Sequence, residues 1–463
     1  MVFKPVGIDE NGLFAPRAED ALVSGFPLGP TSFLKRAQYQ PLSTFQVGHG
    51  WTATSGATPF AEDTVDYIFG SQSLKGVTAG TGTAVIMSSV GRPAADFTNK
   101  TIAVLLKVSD IEKFDGAYLL MGTGNFAAFR SVQLAKYKGT GASALAWSNE
   151  YQWYHAEISE TNGITGTPNM AAITDLRLQV YDRNTGALTV NLQAIATYER
   201  QTTYPNGVAS FTWDDNYLPQ FELAQKRVFD KWGDGCTYYI IWDTLGITQP
   251  GSGPRFTLAQ AHELETMHNS EISAHAYTGD QHNDSINTTP AELDKALAKL
   301  KRALRKEGFR GADGYCWPQG NNTPEKAKIV AKYFSHARHT GGDNAPLVPN
   351  MPYRYQAITL SSDTTLAQYK TKIDFAKLHG LHIVFMGHQV KDSGATGSTN
   401  INLTDLDAVV SYVHEVGMPV RTMGEVFRTM NPPTAEERVL VSPDKSRFQL
   451  TVGNDGALIT TKL

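Results

Sequence analysis

Hydrophobic and polar positions change their spacing twice along this chain. Between residues 41 and 203, short runs rich in Val, Ile, Thr, Tyr and Phe alternate with clusters of Gly, Ser and Asn, the texture of successive strands and turns. Residues 101–108 (TIAVLLKV) read as a core strand. Residues 176–181 (LRLQVY) alternate apolar and polar side chains, as a half-buried strand does. The turn-forming run Asp182-Arg183-Asn184-Thr185-Gly186 follows, and residues 187–194 return as a strand, so this stretch predicts a hairpin. Strands at this spacing predict a β-sandwich.

From about residue 204 the period lengthens. Leu293, Ala296, Leu297, Leu300 and Leu304 recur at helical spacing, with Lys and Arg on the other face. Thr289 and Pro290 supply a start signal and Gly308 a stop. Residues 324–334, 366–379 and 405–416 repeat the pattern, the last two ending at Gly380 and Gly417. Residues 208–212, 237–242, 356–360 and 381–386 fit strands. Strand and helix in alternation predict a parallel α/β arrangement, open or barrel-like, over 204–432. Pro432-Pro433 breaks this pattern. Residues 433–463 read as a small β appendage, with strands at 439–441, 448–452 and 457–461 and a turn at Asn454-Asp455-Gly456. Residues 1–40 mix Gly, Pro and charge without a clear period and read as an arm or attachment segment.

Composition narrows the function classes. The 463 residues are 41% hydrophobic and 19% charged, as in ordinary globular proteins. A net charge of −4 argues against a nucleic-acid or anionic-lipid surface. No segment approaches the roughly 18 consecutive apolar residues of a membrane span. The first seventeen residues lack the apolar core of a secretory signal. Cys236 and Cys316 are too few for a disulfide framework and read as two buried thiols, with a single bridge between them as the alternative.

Candidate chemistry gathers at the ends of predicted strands. The run Phe211-Thr212-Trp213-Asp214-Asp215 ends an apolar stretch with two adjacent carboxylates. One can bind a metal while the other moves a proton. All histidines except His49 and His155 lie between His262 and His414. His275 follows the short run Glu271-Ile272-Ser273-Ala274, His282 lies beyond a polar loop, and His388 follows a strand and Gly387. Histidine nitrogens and a carboxylate oxygen suit zinc, and α/β proteins collect catalytic groups at the C-terminal strand edge. Taken singly, each residue has a structural reading. Asp215 reads as a helix cap, His275 and His388 as hydrogen-bonded core histidines, His282 as part of a surface loop, and Tyr315 and Trp317 as core aromatics.

The order of these pieces resembles the NodB-homology polysaccharide deacetylases, carbohydrate esterase family 4. Phe211-Thr212-Trp213-Asp214-Asp215-Asn216 is similar to the family's first motif and Glu271-Ile272-Ser273-Ala274-His275 to the lead into its second. Tyr315-Cys316-Trp317-Pro318-Gln319-Gly320 is similar to its third, and Ile383-Val384-Phe385-Met386-Gly387-His388 to its last. The resemblance implies a distorted (β/α) barrel and a divalent metal, with Zn2+ first and Co2+, Ni2+ or Mn2+ after it. It implies Asp214 as catalytic base, His388 as general acid, and Asp215 and His275 as metal ligands. Tyr315, Trp317 and Pro318 would wall an acetyl pocket on an acetylated polysaccharide. Three positions depart from the pattern. Asn216 stands where the family has Gly. The family's second ligand histidine is missing from its usual spacing, with Gly279 there and His282 the nearest replacement. No Arg stands in the third motif, and Arg338 either turns into the site in its place or makes a surface ion pair.

A β-sandwich ahead of a sugar esterase reads as a carbohydrate-binding or assembly module. The tail Val441-Ser442-Pro443-Asp444 through Phe448-Gln449-Leu450-Thr451-Val452 with Asn454-Asp455-Gly456, and the opening Phe3-Lys4-Pro5 with Arg17, resemble more faintly segments of bacteriophage minor tail proteins. That implies a virion or extracellular setting, other tail proteins as partners, a homotrimer, and host capsule or wall glycan as the target. The rival readings are a non-catalytic sugar-binding or structural virion protein with a degenerate deacetylase domain, and a metal-dependent phosphoesterase.

Overall fold

The structure is a computed structural model. It describes residues 40–136, 147–158, 161–200, 203–249, 253–341 and 352–430, together with the strands Val439–Val441, Arg447–Val452 and Leu458–Lys462. The predicted arm, apart from residue 40, lies outside the described residues.

Residues 40–199 form two six-stranded antiparallel sheets. One centres on Lys100–Val108 and Thr189–Glu199, the other on Phe114–Thr123 and Asp175–Asp182. Leu106 and Leu192 of the first share one apolar cluster with Leu119 and Leu178 of the second. Burying one face of each sheet against the other is how two-layer β structures remove apolar area from water.

The hairpin expected over 176–194 does not form. Asp175–Asp182 pairs with Ala84–Ser89 and Phe114–Thr123, whereas Thr189–Glu199 pairs with Gln40–Ser43, Ser73–Val77 and Lys100–Val108. The turn therefore crosses between sheets. The Asp182 carboxylate fixes this crossing by accepting from the backbone N–H groups of Gly80 (3.0 Å), Gly82 (2.7 Å) and Asn184 (2.9 Å). Turn residues signal a reversal, not which strand is met afterwards.

Residues 208–387 contribute the seven strands of a parallel sheet. We number them β1 (Val208–Asp214), β2 (Thr237–Ile241), β3 (Glu271–Ala276), β4 (Gly314–Cys316), β5 (His336–Arg338), β6 (Ile358–Thr359) and β7 (His382–Gly387). Their spatial order is β5-β4-β3-β2-β1-β7-β6. The four longest strands near the middle are buried throughout, as expected where helices cover a parallel sheet. The sheet curls until its edges meet. Tyr355, just ahead of β6, donates its N–H to Ala337 of β5 and accepts from His339 N, both at 2.9 Å. The result is a curled parallel barrel.

The helices follow their local signals. Pro290–Glu307 carries a Thr289–Glu292 capping box and ends on Gly308 at φ 79°. It buries the five apolar residues its period picks out. Leu366–His379 and Leu403–Glu415 cover the other side with Ile373, Leu406 and Val409. The helix expected over 324–334 is shorter, Pro324–Val330. No described helix is long and apolar enough to cross a membrane. The terminal strands form a three-stranded antiparallel sheet.

Candidate active site at the strand ends

Parallel strands place their last residues along one rim, and the candidate residues gather there. Asp214 ends β1, His275 lies one residue from the end of β3, Cys316 ends β4, Arg338 ends β5, and His388 follows β7.

Asp214 is buried, with 1% of its surface exposed. Arg338 Nη2 donates to its Oδ1. Oδ2 faces His388 Nε2 at 3.8 Å and the Cys316 thiol at 3.8 Å. Burial alone would raise the Asp214 pKa. The Arg338 guanidinium, helped by His275 and His388, outweighs it and holds the group below the ordinary carboxylate value. Arg338 is fully buried, so of its two readings the one turned into the site describes its position. Its second contact is Cys316 Sγ, 2.8 Å from Nη2. Both cysteines are buried free thiols, and burial pushes the Cys316 thiol up.

Asp215 begins a sharp turn, with φ 69° there and 47° at Asn216. Asp and Asn tolerate this left-handed region better than most residues, so Asn216 is sterically suited to a position that would otherwise favour Gly. It is also a latch. Its Oδ1 accepts from Ile241 N (3.0 Å) and its Nδ2 donates to Thr244 Oγ1 (3.2 Å), tying the turn to the end of β2. Arg255 Nη1 donates to the Asp215 carbonyl at 2.6 Å and fixes the turn from the other side. The helical turn that follows has Pro219 at its start and no side-chain cap. The Asp215 carboxylate points elsewhere.

Asp215 Oδ1 faces two histidine nitrogens, His275 Nε2 at 3.4 Å and His282 Nε2 at 3.1 Å. The three side chains can converge on one ion. His275 Nδ1 lies 3.0 Å from the Cys316 carbonyl, and His282 Nδ1 lies 3.1 Å from Asn283 Oδ1. Both partners are oxygens that only accept, so each Nδ1 carries a proton, which leaves each Nε2 free as a ligand. Three lone-pair atoms then face one another, and Asp215 Oδ1 is buried without a hydrogen-bond donor among the described residues. Such a cluster needs a cation. The pKa of His282, which burial would lower, is instead raised by the facing Asp215 carboxylate. The donor set, one carboxylate and two imidazoles, fits zinc and similar divalent metals. His282 reaches the cluster from the short helix Gly279–Asn283, capped by Thr278. The loop that displaced it from the familiar spacing folds back.

His388 is partly exposed and follows β7, which flanks β1 on the side away from β3. Gln220 Nε2 donates to the carbonyls of both Asp214 (2.5 Å) and His388 (2.6 Å), so one buried side chain clasps the ends of β1 and β7. Gly387 is required there, because a Cβ would sit 2.4 Å from the Trp213 ring.

Tyr315 and Trp317 are buried rings. Tyr315 stacks on Phe334, and Trp317 donates its indole N–H to the Tyr353 carbonyl at 2.6 Å. With Pro318 they line a cavity of about 30 Å³ beside His275. The motifs contain Asn216 and Cys316 without assigning them these contacts, and Gln220 and Arg255 reach the carboxylate turn from outside the motifs. Only the turn preference of Asn216 left a local signal.

No protein-family model matches the chain, and no curated protein matches it. Solved structures similar to it include the Xyl-CE4 domain of a multidomain xylanase from the hindgut metagenome of Trinervitermes trinervoides. That match has 14% identity, a TM-score of 0.33, and covers 48% of this chain and 91% of that one. A family 4 acetyl xylan esterase from Clostridium thermocellum, in complex with cobalt, has 15% identity, a TM-score of 0.32, and coverage of 48% and 91%. A CE4 family pseudoenzyme from Bacillus anthracis has 17% identity, a TM-score of 0.30, and coverage of 48% and 66%.

Proposed function

We infer that the chain is a metal-dependent hydrolase that removes acetyl groups from a polysaccharide. One observation carries this reading. Asp215, His275 and His282 present three proton-free ligand atoms to one point, beside a second carboxylate, Asp214, that is held ionised. The order of motifs along the chain supports acetyl as the group removed.

A divalent metal held by Asp215, His275 and His282 would supply Lewis acidity and an activated water. The remaining work falls to the chain itself. Arg338 occupies Oδ1 of Asp214, which leaves Oδ2 as the atom that takes the proton from the attacking water. His388, at the end of the neighbouring strand, gives a proton to the departing sugar amine or hydroxyl. Arg255 and Asn216 keep the Asp215 turn rigid, so its carboxylate does not have to be ordered during the reaction. The virion setting belongs to the same proposal and rests on the texture of the flanks alone.

The degenerate alternative depended on a missing third ligand, and the position of His282 counts against it. Metal content and acetate release test the choice together. The parent should retain about one equivalent of zinc after excess is removed, and both Asp215→Ala and His282→Ala should lose it. Acetate release from acetylated glycans should fall at least a hundredfold in each. A parent that holds no metal would overturn the catalytic reading in favour of a binding protein.

A further inference from the structure

Cys316 is a buried free thiol beside the carboxylates that the hydrolytic steps leave unused. Its place follows from strand register. β4 pairs with β3 at Tyr315 and Ala274, and with β5 at Cys316 and Arg338, so the thiol ends β4 between His275 and Arg338. Asp214, His275 and Cys316 are all buried, and one ligand atom from each lies within 4.8 Å of the other two. This group shares His275 with the Asp215 cluster but adds a sulfur and the second carboxylate.

Its geometry and charge suit a cation. Arg338 takes Asp214 Oδ1, and Oδ2 lies 3.8 Å from Cys316 Sγ. Metal bonds of about 2.3 Å to sulfur and about 2.1 Å to oxygen, at a tetrahedral angle, set such donors about 3.6 Å apart, and a larger ion widens this. Little therefore has to move. Asp214 and a Cys316 thiolate carry two negative charges and Arg338 one positive. They leave a single net negative charge, the same that Asp215 offers with two neutral imidazoles. Arg338 Nη2 stands 2.8 Å from Sγ, and a guanidinium only donates, so this contact stabilises the thiolate that a bound metal requires. The sulfur decides the class of ion, because thiolate is a soft ligand. Removing a proton from a buried thiol is costly, and a thiophilic ion such as cadmium offsets that through its bond to sulfur better than zinc does. The His388 side chain, 22% exposed, lies 3.8 Å from Oδ2, so an ion reaches the carboxylate from solvent past this ring.

We propose that Asp214, His275 and Cys316 form an inhibitory position for one thiophilic divalent cation, exclusive of the position made by Asp215, His275 and His282. Exclusion follows from His275. Its Nδ1 is held by the Cys316 carbonyl, which leaves one lone pair for both positions. An ion bound there ligates Asp214 and removes it as base. The thiol proton leaves to solvent as the metal–sulfur bond forms. The inhibition rests on the hydrolase reading, whereas the position itself does not. Cadmium titrated into the full chain, freed of metal and of chelator, is the test. The sulfur-to-cadmium charge-transfer absorption should saturate at about one equivalent. It should persist in Cys236→Ser and in His282→Ala and vanish in Cys316→Ser. X-ray absorption at the cadmium edge of the parent should find sulfur among the ligands, a readout that needs no variant. Cadmium added to the zinc-loaded parent should release the zinc. It should inhibit acetate release by the parent at least tenfold more strongly than by Cys316→Ser. A cadmium shell of nitrogen and oxygen alone sinks the proposal, as does a sulfur signal that survives in Cys316→Ser. Zinc and cadmium held together in one molecule, or equal inhibition of parent and Cys316→Ser, sinks it too. The spectroscopic outcomes do not depend on acetate release, so failure of this position and failure of the hydrolase reading are told apart.

Discussion

Asn216 combines a steric and a polar duty, and the two can be separated. Asn216→Gly keeps the left-handed turn but leaves the buried Ile241 N–H without its acceptor, a loss of about 1–3 kcal/mol. Asn216→Ala adds the strain of φ 47°, about 1–2 kcal/mol more. Urea unfolding should rank the parent above Gly and Gly above Ala. An Ala variant as stable as Gly would mean that the turn has relaxed. Arg338 acts on a charge. Arg338→Met leaves Asp214 buried without its principal cation, at a cost on the order of 3 kcal/mol. Because Arg338 lowers the Asp214 pKa, its loss should raise that pKa. The acid limb of the pH–rate profile should then move to higher pH. A profile with an unmoved acid limb would remove Asp214 as the titrating base.

Elements hold the site through their ends. The π-helical turn Gln220–Gln225 follows β1 directly and starts with the side chain that clasps β1 to β7. Such turns recur at functional sites because their wider winding re-aims a side chain. Gln220→Leu should loosen the spacing between Asp214 and His388 without touching a metal ligand. We expect kcat to fall tenfold or more with KM and zinc content near those of the parent. A fall in zinc content instead would show that the clasp acts on the ligand cluster.

The whole molecule carries further buried histidines outside the ligand cluster. Burial pushes His155, His336, His339 and His382 down to about 3. In the unfolded chain each would titrate near 6.5. The unfolded state therefore binds more protons below that pH, and stability falls as pH drops from about 6.5 toward 3. The slope is about 1.4 kcal/mol per pH unit for each histidine. Glu157, pushed up to about 7 by burial, works in the opposite direction between about pH 7 and 4.5, and the raised Asp234, Asp243, Glu265 and His282 work the same way as Glu157. Asp214 and Asp215, held low, add their own loss only at more acid pH. The urea midpoint should be lower at pH 5 than at pH 7. An equal or higher midpoint at pH 5 would mean that these histidines are hydrated in solution.

Local pattern determined the elements. The period of Leu293 to Leu304 specifies a helix wherever it lies, and the Thr289 and Gly308 signals act within one turn of it. Apolar strands alternating with such helices carried the parallel arrangement, and strand ends carried Asp214, Asp215, His275 and His388 to one rim. What the chain pattern could not decide was partnership at a distance. The turn after Asp182 joins two sheets instead of two neighbours, because distant glycine N–H groups, not the turn residues, set its direction. Arg338 could be drawn inward or outward from its sequence alone. The parallel pairing of β5 with β4 buries it against Asp214, where a charge without a partner would be untenable. His282 lies off the expected spacing, and only the fold of its loop returns Nε2 to Asp215. The residues came from the sequence; the convergence of their lone pairs came from packing, which acts across space and leaves no period along the chain.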